Sequence, residues 1–302
     1  MKRTEPFDYY RPATLQEASR LLKENGPGGR FLAGGTDLVI AMKEKGLVPR
    51  YIVDLKRLPG LSGIHENSDG SIGLGALTTL HEIETSALIK KKYPFLAQSA
   101  AEVGSIQIRN RATIGGNMAN ASPSADTSPA LMALDATVTI ASAGGERKIA
   151  VEEFFKGPGQ NAMNQDEILT EVTIPPTGAN LVGEYIKFSP REMMDLAYVG
   201  VAVVYNLAND KKCTGVRIVL GAVAPTPIRA KRAEAALEGQ VLSEALAEKV
   251  GHIAAEEAKP ISDVRSSADY RRAMVGTMTK RALLNAAIGP AKSWIDRRDR
   301  RY

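Results

Sequence analysis

Two glycine-rich loops about eighty residues apart constrain this chain more than any other feature. The first is Leu32-Ala33-Gly34-Gly35-Thr36-Asp37-Leu38, and the second runs from Thr113-Ile114-Gly115-Gly116-Asn117 to Ser122-Pro123-Ser124-Ala125-Asp126. A Gly-Gly pair beside a hydroxyl residue lets backbone N–H groups close around phosphate oxygens, and the hydroxyl adds another donor. Two such loops predict two clamps on one long anionic ligand, for which a dinucleotide is the obvious candidate.

The residues around the first loop predict a small α/β unit. Residues 15–25 have the apolar spacing of an amphipathic helix, and residues 30–32 form a short strand that enters the loop. Thr36 or Asp37 can cap a following helix, and residues 51–55 are apolar and β-branched enough for a second strand. The loop therefore lies between a strand and a helix, which is a context that favours anion binding.

The stretch that follows predicts an antiparallel sheet. Two hairpins and a further strand are expected between residues 61 and 174. Residues 110–126 show neither a helical nor a strand period, so the second loop is predicted to be ordered but irregular. Ser128-Pro129 has the form of an N-cap followed by proline, which predicts a short helix that ends near Leu134.

The segment Pro175-Pro176-Thr177-Gly178 is the best candidate for a domain boundary. Three strands and then three helices are expected beyond it, which predicts a three-stranded antiparallel sheet with a helical bundle. The predicted fold class is α+β, with a two-lobed first domain and a C-terminal domain. The predicted segments are a domain over 1–178 (lobes at about 1–55 and 56–178), a C-terminal domain over 179–289 and a basic tail over 290–302.

Charge and cysteine content exclude several functional classes. The formal charge is +5, and five cations against two anions in residues 292–302 supply +3 of it, so the body is nearly neutral and nucleic acid is not an expected ligand. The tail predicts either an anion-binding arm or a solvated terminus or strap onto a partner subunit. Cys213 is the only cysteine, so this chain alone forms no disulfide and no cysteine-rich iron–sulfur or zinc site.

Neither a targeting segment nor a membrane span is expected. The charged start of the chain has no apolar run behind it, and no run of about eighteen apolar residues exists. The cytoplasm is therefore the expected compartment. His65, His81 and His252 lie far apart in the sequence, so no metal site is expected.

Each glycine loop alone has a plainer interpretation, because Gly-Gly pairs are also common in ordinary turns. Another candidate, Gly73-Leu74-Gly75, begins a dinucleotide fingerprint, but Thr78 stands where the third glycine belongs and no long crossover helix follows. A Gly-Lys-Ser/Thr phosphate loop is also missing from the sequence. The prediction of an anionic ligand therefore depends on the two loops together.

Taken together, the two loops closely resemble those of the FAD-binding medium subunit of the molybdenum hydroxylases, a family that includes xanthine dehydrogenase and carbon monoxide dehydrogenase. The resemblance covers about residues 5–289, and the order of strands and helices after Pro176 is also similar to the C-terminal flavoprotein domain of that family. It implies FAD as the cofactor, lying extended between the two lobes and the C-terminal domain.

The resemblance also implies a set of FAD-binding residues. The main-chain groups of both loops would hold the pyrophosphate, Asp126 would hold the sugar or ribityl hydroxyls, and Leu169 would contact the adenine end. Valine at Gly115 is expected to abolish FAD retention, because it would fill the space of a phosphate. The implied residues are Leu32, Ala33, Gly34, Gly35, Thr36, Asp37, Leu38, Val103, Thr113, Ile114, Gly115, Gly116, Asn117, Ser122, Asp126, Leu169, Lys187, Arg191 and Asp195.

Near the flavin ring the resemblance is less uniform. It places Lys187 close to the flavin, where a cation would stabilise the reduced, anionic ring, and a surface ion pair is the alternative. Arg191 and Asp195 match a polar segment beside the ring, although Asp195 also suits a helix or turn cap. Val103 stands where some relatives carry an aromatic residue. Thr36 stands where carbon monoxide enzymes often carry histidine, which disfavours carbon monoxide as the substrate.

The function implied by the resemblance is an electron-transfer subunit, and therefore part of an oxidoreductase. Its partners would be a large molybdopterin subunit and a small iron–sulfur subunit, with NAD as one possible electron acceptor. No side chain need act as acid or base, and the substrate binds a different polypeptide. A stand-alone flavin oxidase and a non-catalytic adaptor, in which the glycine loops are only turns, are the alternatives.

Overall fold

The computed structural model describes residues 4–191 and 194–288. Within these ranges, helices and strands form three successive units: an N-terminal unit (residues 8–54), a middle unit (residues 64–174) and a C-terminal unit (residues 181–288). No helix in the described ranges is long and apolar enough to cross a membrane. The predicted mixture of helices with antiparallel sheets is confirmed.

The N-terminal unit is a small parallel sheet with two helices. Its elements are β1 (Asp8–Tyr10), α1 (Leu15–Asn25), β2 (Gly29–Leu32), α2 (Leu38–Glu44) and β3 (Tyr51–Asp54). The strand order is β1-β3-β2, with both pairs parallel. Thr14 begins α1 by accepting a hydrogen bond from the Glu17 N–H, and Gly26 ends it at a φ of 75°. The sequence does not predict β1, because three residues are too few to show a strand period.

The middle unit has a five-stranded sheet in which all neighbouring strands are antiparallel. Its strands are β4 (Ile64–Glu66), β5 (Ile72–Gly75), β6 (Thr137–Ser142), β7 (Gly145–Ala150) and β10 (Ile168–Ile174). Their order is β4-β5-β10-β6-β7, so the long excursion between β5 and β6 must lie over the sheet. A separate small sheet pairs β8 (Phe155–Gly157) with β9 (Gln160–Asn161).

Short helices fill the excursion between β5 and β6. They are α3 (Leu80–Thr85), α4 (Ala87–Lys92), α5 (Pro94–Ala101), α6 (Ile106–Arg109), α7 (Ile114–Asn120) and α8 (Thr127–Ala133), and α9 (Val151–Phe154) follows β7. Thr79 caps α3 through a reciprocal bond with Glu82, and Pro94 stands at the start of α5. Several helices in succession therefore each begin at a residue with a capping function.

Two predictions in this excursion are wrong. The second glycine loop is not irregular, because residues 114–120 form α7, which Thr113 caps by accepting a hydrogen bond from the Gly116 N–H. Helix α8 begins at Thr127, not at Pro129, and Asp126 occupies its N-cap position. Asp126 makes no capping bond, because its carboxylate accepts hydrogen bonds from Tyr185 and Lys187 of the next unit.

The C-terminal unit is a sheet covered by three helices. Its elements are β11 (Leu181–Phe188), β12 (Val199–Leu207), β13 (Cys213–Gly221), β14 (Ile228–Arg229), α10 (Lys231–Leu237), α11 (Glu244–Glu257) and α12 (Ala268–Ile288). The sheet has four strands in sequence order instead of the three predicted, because the two-residue β14 is too short to leave a pattern. The predicted tail, residues 290–302, lies outside the described residues.

Two hydrophobic cores lie on opposite faces of the C-terminal sheet. Tyr185 and Ala202 belong to the core of the middle unit, whereas Val203 and Ile218 pack with the helices α10–α12. Neighbouring residues of β12 thus point to different cores, as the pleat of a strand requires. The middle and C-terminal units share one core, so the walls that they contribute to a site are held firmly relative to each other.

Candidate functional site

A cleft of about 720 Å³ lies where the three units meet. Its walls come from the first glycine loop and α2, from residues 103–126 of the middle unit, from β10, and from residues 194–196 of the C-terminal unit. This volume falls in the range of about 300–1,000 Å³ that is usual for ligand and cofactor sites. Both glycine loops predicted from the sequence lie in its wall.

The first glycine loop presents unpaired backbone donors to the cleft. Among the described residues, none accepts a hydrogen bond from the N–H groups of Gly34, Gly35, Thr36 or Asp37. Gly35 has a φ of 81°, a conformation that other residues rarely adopt. Unpaired N–H groups at a strand-to-helix turn form a site for an anion.

The two loops are in direct contact with each other. A Cβ atom on Gly34 would lie 1.9 Å from the Arg111 carbonyl oxygen, which immediately precedes the second loop. Glycine is therefore needed at this position because two backbones approach closely there. One ligand in the cleft can contact both loops at once.

The second loop differs from the prediction in the groups that it offers. Its amides already have partners within the chain: Ile114 donates to the Thr78 carbonyl (2.9 Å), Gly115 to the Ala76 carbonyl (2.8 Å) and Asn117 to the Thr113 carbonyl (2.9 Å). The Gly116 N–H donates to the Thr113 hydroxyl at 3.1 Å. The amides of Ile114 and Gly115 thus secure α7 near the end of β5, and those of Gly116 and Asn117 bond to Thr113, while the predicted clasp by this loop stays a prediction.

Side chains of the second loop are its available donors. Thr113, Asn117, Ser122 and Ser124 all line the cleft. The side-chain oxygen of Asn117, Oδ1, accepts a hydrogen bond from the Thr127 hydroxyl at 2.7 Å, which fixes the side-chain amide and leaves its NH₂ group for a ligand. One wall thus offers main-chain N–H groups, and the facing wall offers hydroxyl and amide side chains.

A buried polar cluster stands in the cleft wall around Asp126. The two carboxylate oxygens of Asp126 accept hydrogen bonds, one from the Tyr185 hydroxyl (2.8 Å) and the other from Lys187 Nζ (2.9 Å). Burial raises the pKa of Asp126 to about 6, and this effect outweighs the opposing effects of Lys187 and Tyr185. Burial, reinforced by the charge of Asp126, also raises the pKa of Tyr185, so its hydroxyl stays a donor.

Lys187 lies behind the wall of the cleft and not in it. Its side chain is 5% exposed and donates to Asp126 and to the Glu102 carbonyl oxygen. It is absent from the residues that line the cleft. The alternative of a surface ion pair is therefore wrong, since the pair is buried. Lys187 has no surface exposed in the cleft, and the contact with flavin that the resemblance implies for it stays a prediction.

Most of the residues implied by the resemblance line the cleft, and four do not. Leu32 ends β2, Ile114 is buried in the core, and Lys187 is buried behind Asp126. Arg191 is the fourth, and its exposed side chain pairs with Asp195, which does line the cleft. Arg191 also lowers the pKa of Asp195 through a hydrogen bond to its carboxylate. Contact between any of these residues and FAD stays a prediction.

Sequence reasoning missed several cleft residues. Asn120 and Ser124 lie within the predicted loop and would have been found by including all its polar side chains. Ile108, Met194 and Leu196 carry no signal, because apolar residues in short helices or loops resemble core residues in sequence. The segment that contains Met194 and Leu196 reaches the cleft only through the folding of the C-terminal unit.

Two family models cover most of the chain. The model described as "FAD binding domain in molybdopterin dehydrogenase" matches residues 5–177, and the model described as "CO dehydrogenase flavoprotein C-terminal domain" matches residues 184–286. The xanthine dehydrogenase FAD-binding subunit of Escherichia coli O157:H7 is 34% identical over 279 residues, which are 92% of this chain and 95% of the relative. The carbon monoxide dehydrogenase medium chain of Hydrogenophaga pseudoflava is 32% identical over 281 residues, 93% and 96% of the two chains.

Solved structures show the same fold. A carbon monoxide dehydrogenase from Hydrogenophaga pseudoflava matches with a TM-score of 0.91 at 32% identity, covering 95% of this chain and 99% of that one. Quinoline 2-oxidoreductase from Pseudomonas putida 86 matches with a TM-score of 0.89 at 31% identity, covering 95% and 98%. The chain belongs to the family of FAD-binding subunits of molybdenum hydroxylases. It is thus an oxidoreductase subunit with an FAD-binding domain, as the two loops predict.

Proposed function

We propose that this chain is the FAD-carrying electron-transfer subunit of a molybdopterin-dependent hydroxylase or dehydrogenase. It takes electrons from the iron–sulfur clusters of a small partner subunit and passes them to NAD or another acceptor, while a large molybdopterin subunit binds the substrate. The names of relatives support this assignment, since they are an FAD-binding subunit and a medium chain of dehydrogenases. The observation that carries the proposal is the cleft with unpaired N–H groups on one wall.

The residues of the cleft fit an extended dinucleotide. Gly34 to Asp37 provide main-chain donors for the diphosphate, and the hydroxyl of Thr36 adds another. The facing side chains Thr113 and Asn117 would contact the same group from the other wall. Asp126 can accept from sugar hydroxyls, because a carboxylate oxygen has room for a second donor. Apolar residues such as Leu169 provide surface for the aromatic ends.

The chain contributes position and electrostatics. When bound, FAD supplies the chemistry, since a flavin exchanges electrons singly with iron–sulfur centres and in pairs with NAD. The first loop neutralises phosphate charge without mobile cations, and the buried Asp126 cluster fixes one wall. No residue of the cleft is assigned the role of acid or base.

Titration with FAD tests the binding half of this proposal. Replacing Thr36 by valine removes one hydroxyl donor at nearly constant volume, and loss of a hydrogen bond to a charged phosphate should weaken FAD binding about tenfold or more. Thr277→Val is the matched control, since the Thr277 hydroxyl donates only to the Ala273 carbonyl on an exposed face of α12. Dissociation constants come from quenching of flavin fluorescence.

The electron-transfer half needs the assembled complex. Mixing the FAD-loaded chain with its reduced iron–sulfur partner and NAD should produce NADH, whereas the partner alone should not. Failure of the native chain to bind FAD would remove the proposal altogether. Substrate oxidation with oxygen by the loaded chain alone would instead identify a stand-alone flavin oxidase.

A further inference from the structure

Two successive carbonyl groups at the edge of the cleft wall, those of Glu102 and the lining residue Val103, are each held by a buried cation. Lys187 Nζ donates to the Glu102 carbonyl oxygen at 2.9 Å, and Arg109 Nη1 donates to the Val103 carbonyl oxygen at 3.2 Å. The side chains of these cations are 5% and 9% exposed. Arg109 comes from α6 and Lys187 from β11, so the wall is fixed from two different units.

The segment that they hold is a short connection whose Glu102 and Val103 amides donate to the Gln98 and Ala100 carbonyl oxygens at the end of α5. Residues 102–104 connect the end of α5 to Ser105, the N-cap of α6, and Gly104 has a φ of 53°. Val103 and Gly104 line the cleft, and Ile108 lies beside them. The side chains in this part of the wall, those of Val103 and Ile108, are aliphatic, which suits an aromatic ring and not a phosphate. Its position would determine the space available to that ring.

Each cation is itself fixed by a carboxylate, which is partly buried for Arg109 and buried for Lys187. Arg109 binds Glu84 of α3 with both ends of its fork, Nε to Oε2 at 2.8 Å and Nη2 to Oε1 at 3.4 Å. Lys187 is paired with Asp126. A counter-ion offsets the cost of burying each cation, and the remaining N–H is aimed at the carbonyl. Neither Arg109 nor Lys187 lines the cleft.

We propose that Arg109 and Lys187 are positioning residues that fix the segment from Glu102 to Gly104, of which Val103 and Gly104 form part of the cleft wall, against the bound cofactor. They act through main-chain carbonyls and make no contact with the ligand. The assignment rests on the proposed function for the identity of the ligand, but the ordering of the wall is a property of the chain alone. Either property can therefore be measured without the other.

Arg109→Lys is the decisive variant. Lysine keeps the charge and the pair with Glu84 but lacks the planar fork that also reaches the Val103 carbonyl. Amide hydrogen exchange over residues 102–108 of the FAD-free chain should become about tenfold faster, because local opening loses a charge-assisted hydrogen bond. In the FAD-bound chain, the visible flavin spectrum should shift and the dissociation constant should rise by a similar factor.

Arg229→Lys is the matched control. Arg229 makes the same two-pronged pair with Glu234, at 2.9 and 2.6 Å, on a side chain that is 15% exposed and remote from the cleft lining. The Arg229→Lys variant should lower the melting temperature about as much as Arg109→Lys does, while leaving the flavin spectrum and amide hydrogen exchange over residues 102–108 unchanged. Glu84→Gln, which loosens the same fork without changing Arg109, should reproduce the Arg109→Lys effects and replaces that variant if it fails to fold.

The outcomes separate this inference from the proposed function. Unchanged exchange over residues 102–108 in both Arg109→Lys and Glu84→Gln would overturn the positioning role, whatever FAD does. A shift of the flavin spectrum by Arg229→Lys equal to that of Arg109→Lys would overturn it too, since general destabilisation would then explain both. If the native chain binds no FAD, the proposed function fails and the exchange comparison still decides whether Arg109 orders the wall.

Discussion

At the scale of single residues, the glycines of the two loops serve different purposes. Gly35 has a backbone conformation that favours glycine, whereas Gly34 and Gly115 are required by close backbone contacts. A Cβ atom on Gly115 would lie 2.6 Å from the Ala76 Cβ and 2.7 Å from the Ala76 oxygen. A valine there would collide with the end of β5 and not with a phosphate, so the expected mechanism of Gly115→Val needs correction.

Alanine at Gly115 and at Gly116 should separate stability from binding. Gly115→Ala gains about 1 kcal/mol of helix propensity but forces a backbone clash that should cost ~3 kcal/mol, lowering the melting temperature by ~5–10 °C. At Gly116 the new methyl group would meet only the Thr113 hydroxyl (2.9 Å) and, at 3.9 Å, the methyl group of Ala33 in the first loop. Gly116→Ala must displace the capping hydroxyl of Thr113, at a cost of about 1 kcal/mol, but it gains about as much helix propensity, so it should leave the melting temperature nearly unchanged and still weaken FAD binding.

Calorimetry and FAD titration of the two variants check this pair. A larger loss of melting temperature in Gly116→Ala than in Gly115→Ala would contradict the assignment of the close contact.

The sequence pattern alone, a Gly-Gly pair beside a hydroxyl residue, predicted that both glycines belong to a ligand-binding loop. It could not show which backbone each one faces, since Ala76 is separated from Gly115 by a long stretch of chain.

At the scale of elements, α7 illustrates how a cap can form a helix from a poor sequence. Its residues include two glycines and two asparagines, all of which disfavour a helix interior. Thr113 caps it, and the amides of Ile114 and Gly115 donate to carbonyls near the end of β5. The helix is thus determined by contacts that are distant in sequence, which is why periodicity alone predicted an irregular loop.

Thr113 and Thr79 provide a matched pair of cap variants. Each threonine caps a short helix of the middle unit, so Thr113→Ala and Thr79→Ala should each cost about 1 kcal/mol of stability. Only Thr113 lines the cleft, so only Thr113→Ala should also weaken FAD binding, by roughly tenfold for a lost hydroxyl–phosphate bond. Thermal melts and fluorescence titration of both variants test this. Equal FAD affinities would show that Thr113 acts only as a cap.

Elements with strong local signals were predicted well. The helix α1 and the three long strands of the C-terminal sheet agree with the prediction. Elements of two to four residues, such as β1, β14 and α6, were not predicted, because they are too short to have a period. The start of α8 was misplaced because Asp126 is engaged by residues about sixty positions further along the chain.

At the scale of the whole molecule, charged contacts join the middle and C-terminal units besides their shared core. On the surface, Arg217 pairs with Asp135 at 2.9 Å and Lys231 pairs with Glu152 at 2.8 Å. In the interior, Lys187 pairs with Asp126. The resemblance of the two loops predicted the cofactor correctly and also singled out Asp126 and Lys187. It could not predict that these two residues pair with each other, because they lie on different units about sixty residues apart in the sequence.

The buried carboxyl of Asp126 should give the folded molecule a distinctive pH dependence. Because burial raises its pKa from 3.8 to about 6, the folded state binds this proton more tightly than the unfolded state does. Its contribution to stability is therefore greatest below pH 4 and is lost as the pH rises towards 6, by an amount on the order of 2 kcal/mol. Asp126→Asn removes this titration, so the melting temperature of the native protein relative to that variant should fall between pH 4 and 6 and then level off.

Asp263→Asn provides a control of opposite sign. Hydrogen bonds from the Arg265 N–H and the Arg271 side chain lower the pKa of Asp263, so its contribution to stability is present above the usual carboxyl pKa and is lost as the pH falls. Melting temperatures measured at constant ionic strength should therefore fall relative to Asp126→Asn as the pH rises from about 4 to 6, and fall relative to Asp263→Asn as the pH drops below about 4, so the scan extends from about pH 2.5 to 7.5. A difference curve for Asp126→Asn that rises with pH would mean that Lys187 and Tyr185, and not burial, control this carboxyl. The cleft wall would then depend on the ion pair for its stability, and because the carboxyl would stay ionised down to about pH 4, FAD binding by the native protein should weaken only below that pH.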